Sequence, residues 1–127
     1  MLWLRDRVRI HAAIDLSDGV MRDARNLAAA SGVALEIEAD RLPSAPALEG
    51  FRQTPAAEHL LLAGGEDYEL LFAVPAGAME GTERAFAVAF DHPLTRVGSA
   101  REGEGLTVSG RLNPALPAGF DHFGAGR

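Results

Sequence analysis

The hydrophobic period of this chain switches repeatedly, and that alternation constrains its fold more than any other feature. Residues 12–16 form a short apolar run that predicts a buried strand. Val20, Met21, Ala24, Leu27 and Ala28 then recur at helical spacing, with Arg22, Asp23 and Arg25 on the other side. Ser31-Gly32 stops that helix, and residues 33–38 alternate with period two, as a half-buried strand does. Residues 41–54 hold two prolines and a glycine and read as irregular, with one short helix around residues 47–52. Pro55 suits the first turn of a helix reaching Ala63, which Gly64-Gly65 breaks. Residues 66–74 alternate again, predicting Tyr68, Leu70, Phe72 and Val74 on one face and Asp67 and Glu69 on the other. Residues 78–90 predict an amphipathic helix with Met79, Phe86, Ala87 and Phe90 inward. Residues 94–97 and 106–108 look like a strand pair around the turn at 101–105. Strands interleaved with helices predict an α/β (α+β) sandwich, a mixed sheet packed with helices.

Composition narrows the chemistry. At 127 residues with 47% apolar content, one domain with a real core is expected, residues 1–11 being a linker or frayed helix and residues 12–127 the folded unit. With no cysteine, disulfides, zinc–thiolate sites and thiol catalysis are excluded. All twelve bases are arginine. Without lysine there is no Schiff-base chemistry and no P-loop, whose lysine must reach the terminal phosphates. A net charge of −6 disfavours nucleic-acid binding, which needs a basic surface. No long apolar run or signal-peptide pattern appears, so no membrane contact and a cytoplasmic location are expected.

Three constellations carry possible chemistry. Asp15-Leu16-Ser17-Asp18-Gly19 ends a strand in an acid and opens a helix with a hydroxyl and a second acid, Ser17 or Asp18 being the expected N-cap. Free helix N–H groups can hold a phosphate, and two nearby carboxylates can hold Mg²⁺ beside it. Helix capping alone also accounts for the pattern. Gly64-Gly65-Glu66-Asp67-Tyr68-Glu69 places three acids beside two glycines that let the backbone approach a ligand closely; a turn before an edge strand with a solvated acidic face reads equally well. Its order differs from a Gly-Gly-Asp/Glu-Glu-Phe cyclase turn, and no lysine is present to meet a triphosphate. Gly119-Phe120-Asp121-His122-Phe123 either staples the tail to the core or offers a ring to a flat ligand. His11, His59, His92 and His122 lack metal-ligand spacing, and no Gly-x-Ser-x-Gly elbow occurs.

Together with Arg41-Leu42-Pro43, the runs Ala13 to Gly19, Gly64 to Phe72 and Gly119 to Phe123 closely resemble thiamine-monophosphate kinase, in that family's order and with similar gaps. The family falls in the aminoimidazole-ribonucleotide-synthetase superfamily, and the resemblance is to its α/β C-terminal domain. It implies the fold of the C-terminal domain of aminoimidazole ribonucleotide synthetase. It also implies a transferase that uses ATP and Mg²⁺ to convert thiamine phosphate into thiamine diphosphate. Carried over by position, Asp15 and Asp18 would bind Mg²⁺, Ser17 would contact ATP phosphate, and Glu66 would contact thiamine phosphate. Phe120, often Tyr in the family, would stack on the substrate heterocycle without the hydroxyl. The family's N-terminal ATP/Mg and dimerisation domain has no counterpart here, so the chain is expected to be inactive alone, and a homodimer stays open. A non-catalytic ligand-binding or interaction module, or a superfamily member acting on another phosphorylated heterocycle, remain the alternatives.

Overall fold

The computed structural model describes residues 1–110, so Phe120 and the rest of the 112–127 tail lie outside the described residues. One helix organises the described chain. Helix α2 (Val20–Ser31) buries Val20, Ala24, Leu27 and Ala28 at the spacing that its apolar residues predict, and Gly32 closes it in the left-handed conformation. Around it stand β1 (Ala12–Leu16), β2 (Ala34–Glu38), β5 (Gly105–Ser109) and α3 (Pro55–Ala63), all packed against α2. Leu16, Leu35, Ile37 and Leu42 complete the buried cluster, with Ile14, Leu61, Leu71, Leu106 and Val108 packed on it. Truncating a buried leucine such as Leu27 to alanine in such a core costs about 2–5 kcal/mol.

The strands divide between two sheets. Strand β1 pairs antiparallel with β3 (Glu69–Ala73), Ile14 facing Leu71 and Asp15 facing Leu70. The second sheet is mixed, in the order β4 (Gly98–Arg101), β2, β5. Strand β4 runs antiparallel to β2, and β5 runs parallel to it. The expected strand pair near the end of the chain therefore does not form as a hairpin. Residues 102–104 arch over the start of β2, so that Ala34 pairs with both Arg101 and Gly105. Gly98 is required where β4 meets β2, because a Cβ there would run into the Glu36 carbonyl.

Two other expectations are corrected. Strand β3 starts at Glu69 rather than 66, and Leu71, not Leu70, packs on the core; Tyr68 and Leu70 are exposed. Pairing with β1 decides this, since Ile14 and Leu16 already face α2 and residues opposite each other share a face. Helix α4 (Thr82–Phe90) is shorter than expected and has no buried residue. Its Phe86 and Phe90 instead meet Trp3, each ring centroid 5.7 Å away in an edge-on arrangement. Trp3 belongs to the opening turn α1 (Leu2–Arg5), where Leu4 is buried, and the Arg7 guanidinium lies 3.7 Å from the indole centroid. The short helix expected in the irregular 41–54 stretch is present, as a 3-10 turn at Pro46–Phe51. Arg52 holds it by donating to the carbonyls of Asp40 and Leu42 and to the Ser44 hydroxyl.

Candidate functional site

The first two acidic motifs are brought together. Where β1 ends, the Leu16 carbonyl accepts from the Tyr68 N–H and the Ser17 carbonyl accepts from the Glu66 N–H, each at 3.0 Å. The 64–68 segment thus lies directly on the 16–19 segment, main chain to main chain. Glycines make this approach feasible. A Cβ at Gly65 would sit 2.8 Å from the Ser17 carbonyl, and one at Gly19 would sit 2.9 Å from the Gly64 carbonyl. Gly19 also has φ +99°, a conformation that disfavours any side chain. Glu66 (φ 69°) and Tyr68 (φ 52°) adopt left-handed backbone despite carrying side chains. Each such residue costs on the order of 1 kcal/mol or more and persists only where its surroundings hold it. Here the two bonds to Leu16 and Ser17 do so.

Asp15, Asp18 and Glu66 are all exposed on this junction, and Ser17 is half-buried. Asp15 is the penultimate residue of β1, on the face that α2 does not cover. Asp18 precedes the Gly19 N-cap of α2, and its Oδ2 lies 3.4 Å from the Arg22 Nε. The N-cap of α2 is neither Ser17 nor Asp18, as the residue types had suggested, but Gly19, with no side-chain cap. The reach-back comes from inside the helix: Asp23 Oδ2 accepts the Asp18 N–H at 3.0 Å. Asp23 was expected on the solvent side with Arg22 and Arg25, yet it is only 3% exposed. A trace of this was readable, because an acid one turn inside a helix can turn back to the preceding N–H groups.

A cleft of about 1370 Å³ lies beside the junction, lined by Leu16, Val20, Gly65, Asp67, Tyr68 and Leu71 among others, whereas Asp15, Ser17, Asp18 and Glu66 do not line it. The oxygen donors are hard carboxylates and a hydroxyl, which suit Mg²⁺ rather than a soft metal. Among the described residues no three His, Asp or Glu side chains converge as a metal-ligand group. Asp15 and Asp18 carry carboxylate oxygens of the kind Mg²⁺ takes alongside phosphate oxygens and water. Also among the described residues, no helix is long and apolar enough to cross a membrane.

No protein-family model matches the chain. Individual relatives do. It is 37% identical over 117 residues to the thiamine-monophosphate kinase of Aquifex aeolicus, and 33% identical over 119 residues to that of Haemophilus influenzae; each match takes in 89% of this chain. The crystal structure of thiamine-monophosphate kinase from Stenotrophomonas maltophilia superposes with a TM-score of 0.75, at 39% identity over 87% of this chain. This chain is a thiamine-monophosphate kinase homologue. It matches the C-terminal part of such kinases and has their aminoimidazole-ribonucleotide-synthetase-like fold. The chain spans about a third of the length of the curated kinases it matches, 34% of the Aquifex enzyme and 36% of the Haemophilus one. Another solved thiamine-monophosphate kinase relative, AaThiL complexed with AMPPCP and TMP, superposes with a TM-score of 0.63 at 34% identity.

Proposed function

We propose that this domain supplies part of the phosphoryl-transfer site of a cytoplasmic thiamine-monophosphate kinase, which moves the γ-phosphoryl group of ATP onto thiamine phosphate. The observation that carries the reading is the junction of the 15–19 and 64–68 segments, in a domain homologous to kinases of that name. A related enzyme solved with AMPPCP and TMP supports a nucleoside triphosphate and thiamine phosphate as the two ligands.

In this reading Asp15 and Asp18 would hold Mg²⁺, Ser17 would contact a phosphate of ATP, and Glu66 would orient thiamine phosphate. Phe120, outside the described residues, would stack on its heterocycle. The bond between the γ-phosphorus and its bridging oxygen breaks as a phosphate oxygen of thiamine phosphate bonds to that phosphorus, giving ADP and thiamine diphosphate. The acceptor oxygen is already anionic, so no side chain has to act as nucleophile or base. Positioning and charge neutralisation dominate such a transfer. Bound Mg²⁺ neutralises the facing phosphates. An acidic domain can therefore serve anionic substrates, because the cation inverts the local field.

The 127-residue chain is not expected to turn over alone, since it spans only about a third of its relatives. Calorimetric titration of the chain with ATP in the presence of Mg²⁺ tests the site. We expect Mg²⁺-dependent binding that Asp15→Asn weakens at least tenfold. Binding that ignores both Mg²⁺ and Asp15 would refute the assignment.

A further inference from the structure

We propose that Asp23 is a positioning residue for the cation site, fixing the backbone of Asp18 so that the Asp18 carboxylate points outward. This inference rests on the functional reading above, but its geometry stands by itself. Asp23 is one of two charged residues that are buried among those described, the other being Glu58. Its Oδ2 accepts the Asp18 N–H at 3.0 Å across five residues. A carboxylate is a costly way to accept one amide N–H from a buried position, for a neutral asparagine offers the same acceptor without desolvating a charge. The first turns of α2 offset part of that cost through their uncompensated N–H groups. What the carboxylate adds beyond an amide is a second negative charge behind Asp18, on the side opposite solvent.

The two neighbours of Asp18 divide the work. Arg22 meets its carboxylate on the exposed side, as a loose counter-ion at 3.4 Å. Asp23 holds its main chain from inside. Gly19 follows at φ +99°, and the Ser17–Asp18 peptide is held at both ends, its carbonyl by the Glu66 N–H and its N–H by Asp23. Groups that orient metal-binding side chains from behind typically matter tenfold to a hundredfold in metal affinity.

The test uses the full 127-residue chain, ¹⁵N-labelled, with Mg²⁺ alone as the titrant. In the wild-type chain the Asp18 amide should exchange slowly with solvent. Asp23→Ala should speed that exchange at least tenfold and weaken Mg²⁺ about tenfold, while the core resonances of Leu27 and Leu35 stay in place. Asp23→Asn should keep the Asp18 amide protected yet still lose a few-fold in Mg²⁺ affinity. Wild-type exchange at Asp18 in Asp23→Ala overturns the proposal. So does unchanged Mg²⁺ affinity in both variants, which would leave Asp23 as a helix cap. If Asp23→Ala does not fold, Asp23→Asn decides on Mg²⁺ affinity. A wild-type chain that binds no Mg²⁺ overturns this inference and the Mg²⁺ assignment together, whereas intact Mg²⁺ binding with unchanged variants overturns only the role of Asp23.

Discussion

Gly65 and Gly19 set how closely the two acidic segments can lie, and they make a sharp single-residue test. Gly65→Ala places a methyl group against the Ser17 carbonyl, where the near atoms are main chain of Ser17 and Asp18 and no flexible side chain can move away. It should cost about 1–3 kcal/mol, read as a lower denaturant midpoint. Gly50→Ala is the control: nothing lies within 4 Å of a Cβ there, so its midpoint should barely change. At this scale the exposed acids were legible. Asp15, Ser17, Asp18 and Glu66 sit in short runs whose polarity and glycine content already mark a turn against a helix start. Periodicity alone did not mark Asp23 as a buried group. Helical spacing gave it the same side as Arg22, and only the path of the 17–19 turn brings the Asp18 N–H over it.

Helices α2 and α3 followed from periodicity and punctuation, with Gly32 ending one and Thr54-Pro55 opening the other. The Thr54 hydroxyl accepts the Ala57 N–H, as an N-cap does. Strand β3 was misread because Leu70, Leu71 and Phe72 are all apolar, so alternation could not choose a face. The partner strand chose it. Leu71→Ala should consequently cost about 1–3 kcal/mol, whereas Leu70→Ala, on the exposed face, should cost less than about 1 kcal/mol; thermal melts of the two variants compare them directly. Helix α4 was expected and is present, but its burial was misread for a different reason. Its aromatic stripe is real, but its partner is Trp3 in a segment that carries no strong periodic signal. Trp3→Ala should accelerate amide exchange across residues 82–90 and leave α2 unchanged.

Across the whole molecule, the α/β class was legible because strands and helices alternate, but the split into two sheets was not, since strand order depends on contacts between distant segments. The same limit applies to the function. A coupled ADP-release assay with ATP, Mg²⁺ and thiamine phosphate should show no turnover by this chain, and turnover at the rate of a full-length relative would contradict the view that it holds only part of the site. The arch of residues 102–104 over the start of β2 bears on kinetics as well. Strands β4 and β5 are almost adjacent in the chain, yet neither can use the other as a partner. The strand between them comes from far upstream: Thr107 donates to the Leu35 carbonyl, 72 residues away. The three-stranded sheet therefore has no local hairpin to nucleate it, and its formation must await closure of a long loop. Refolding should show the helices α2 and α3 gaining protection before the three-stranded sheet does, so its edge strands would be the last to leave solvent and the most exposed to mispairing meanwhile.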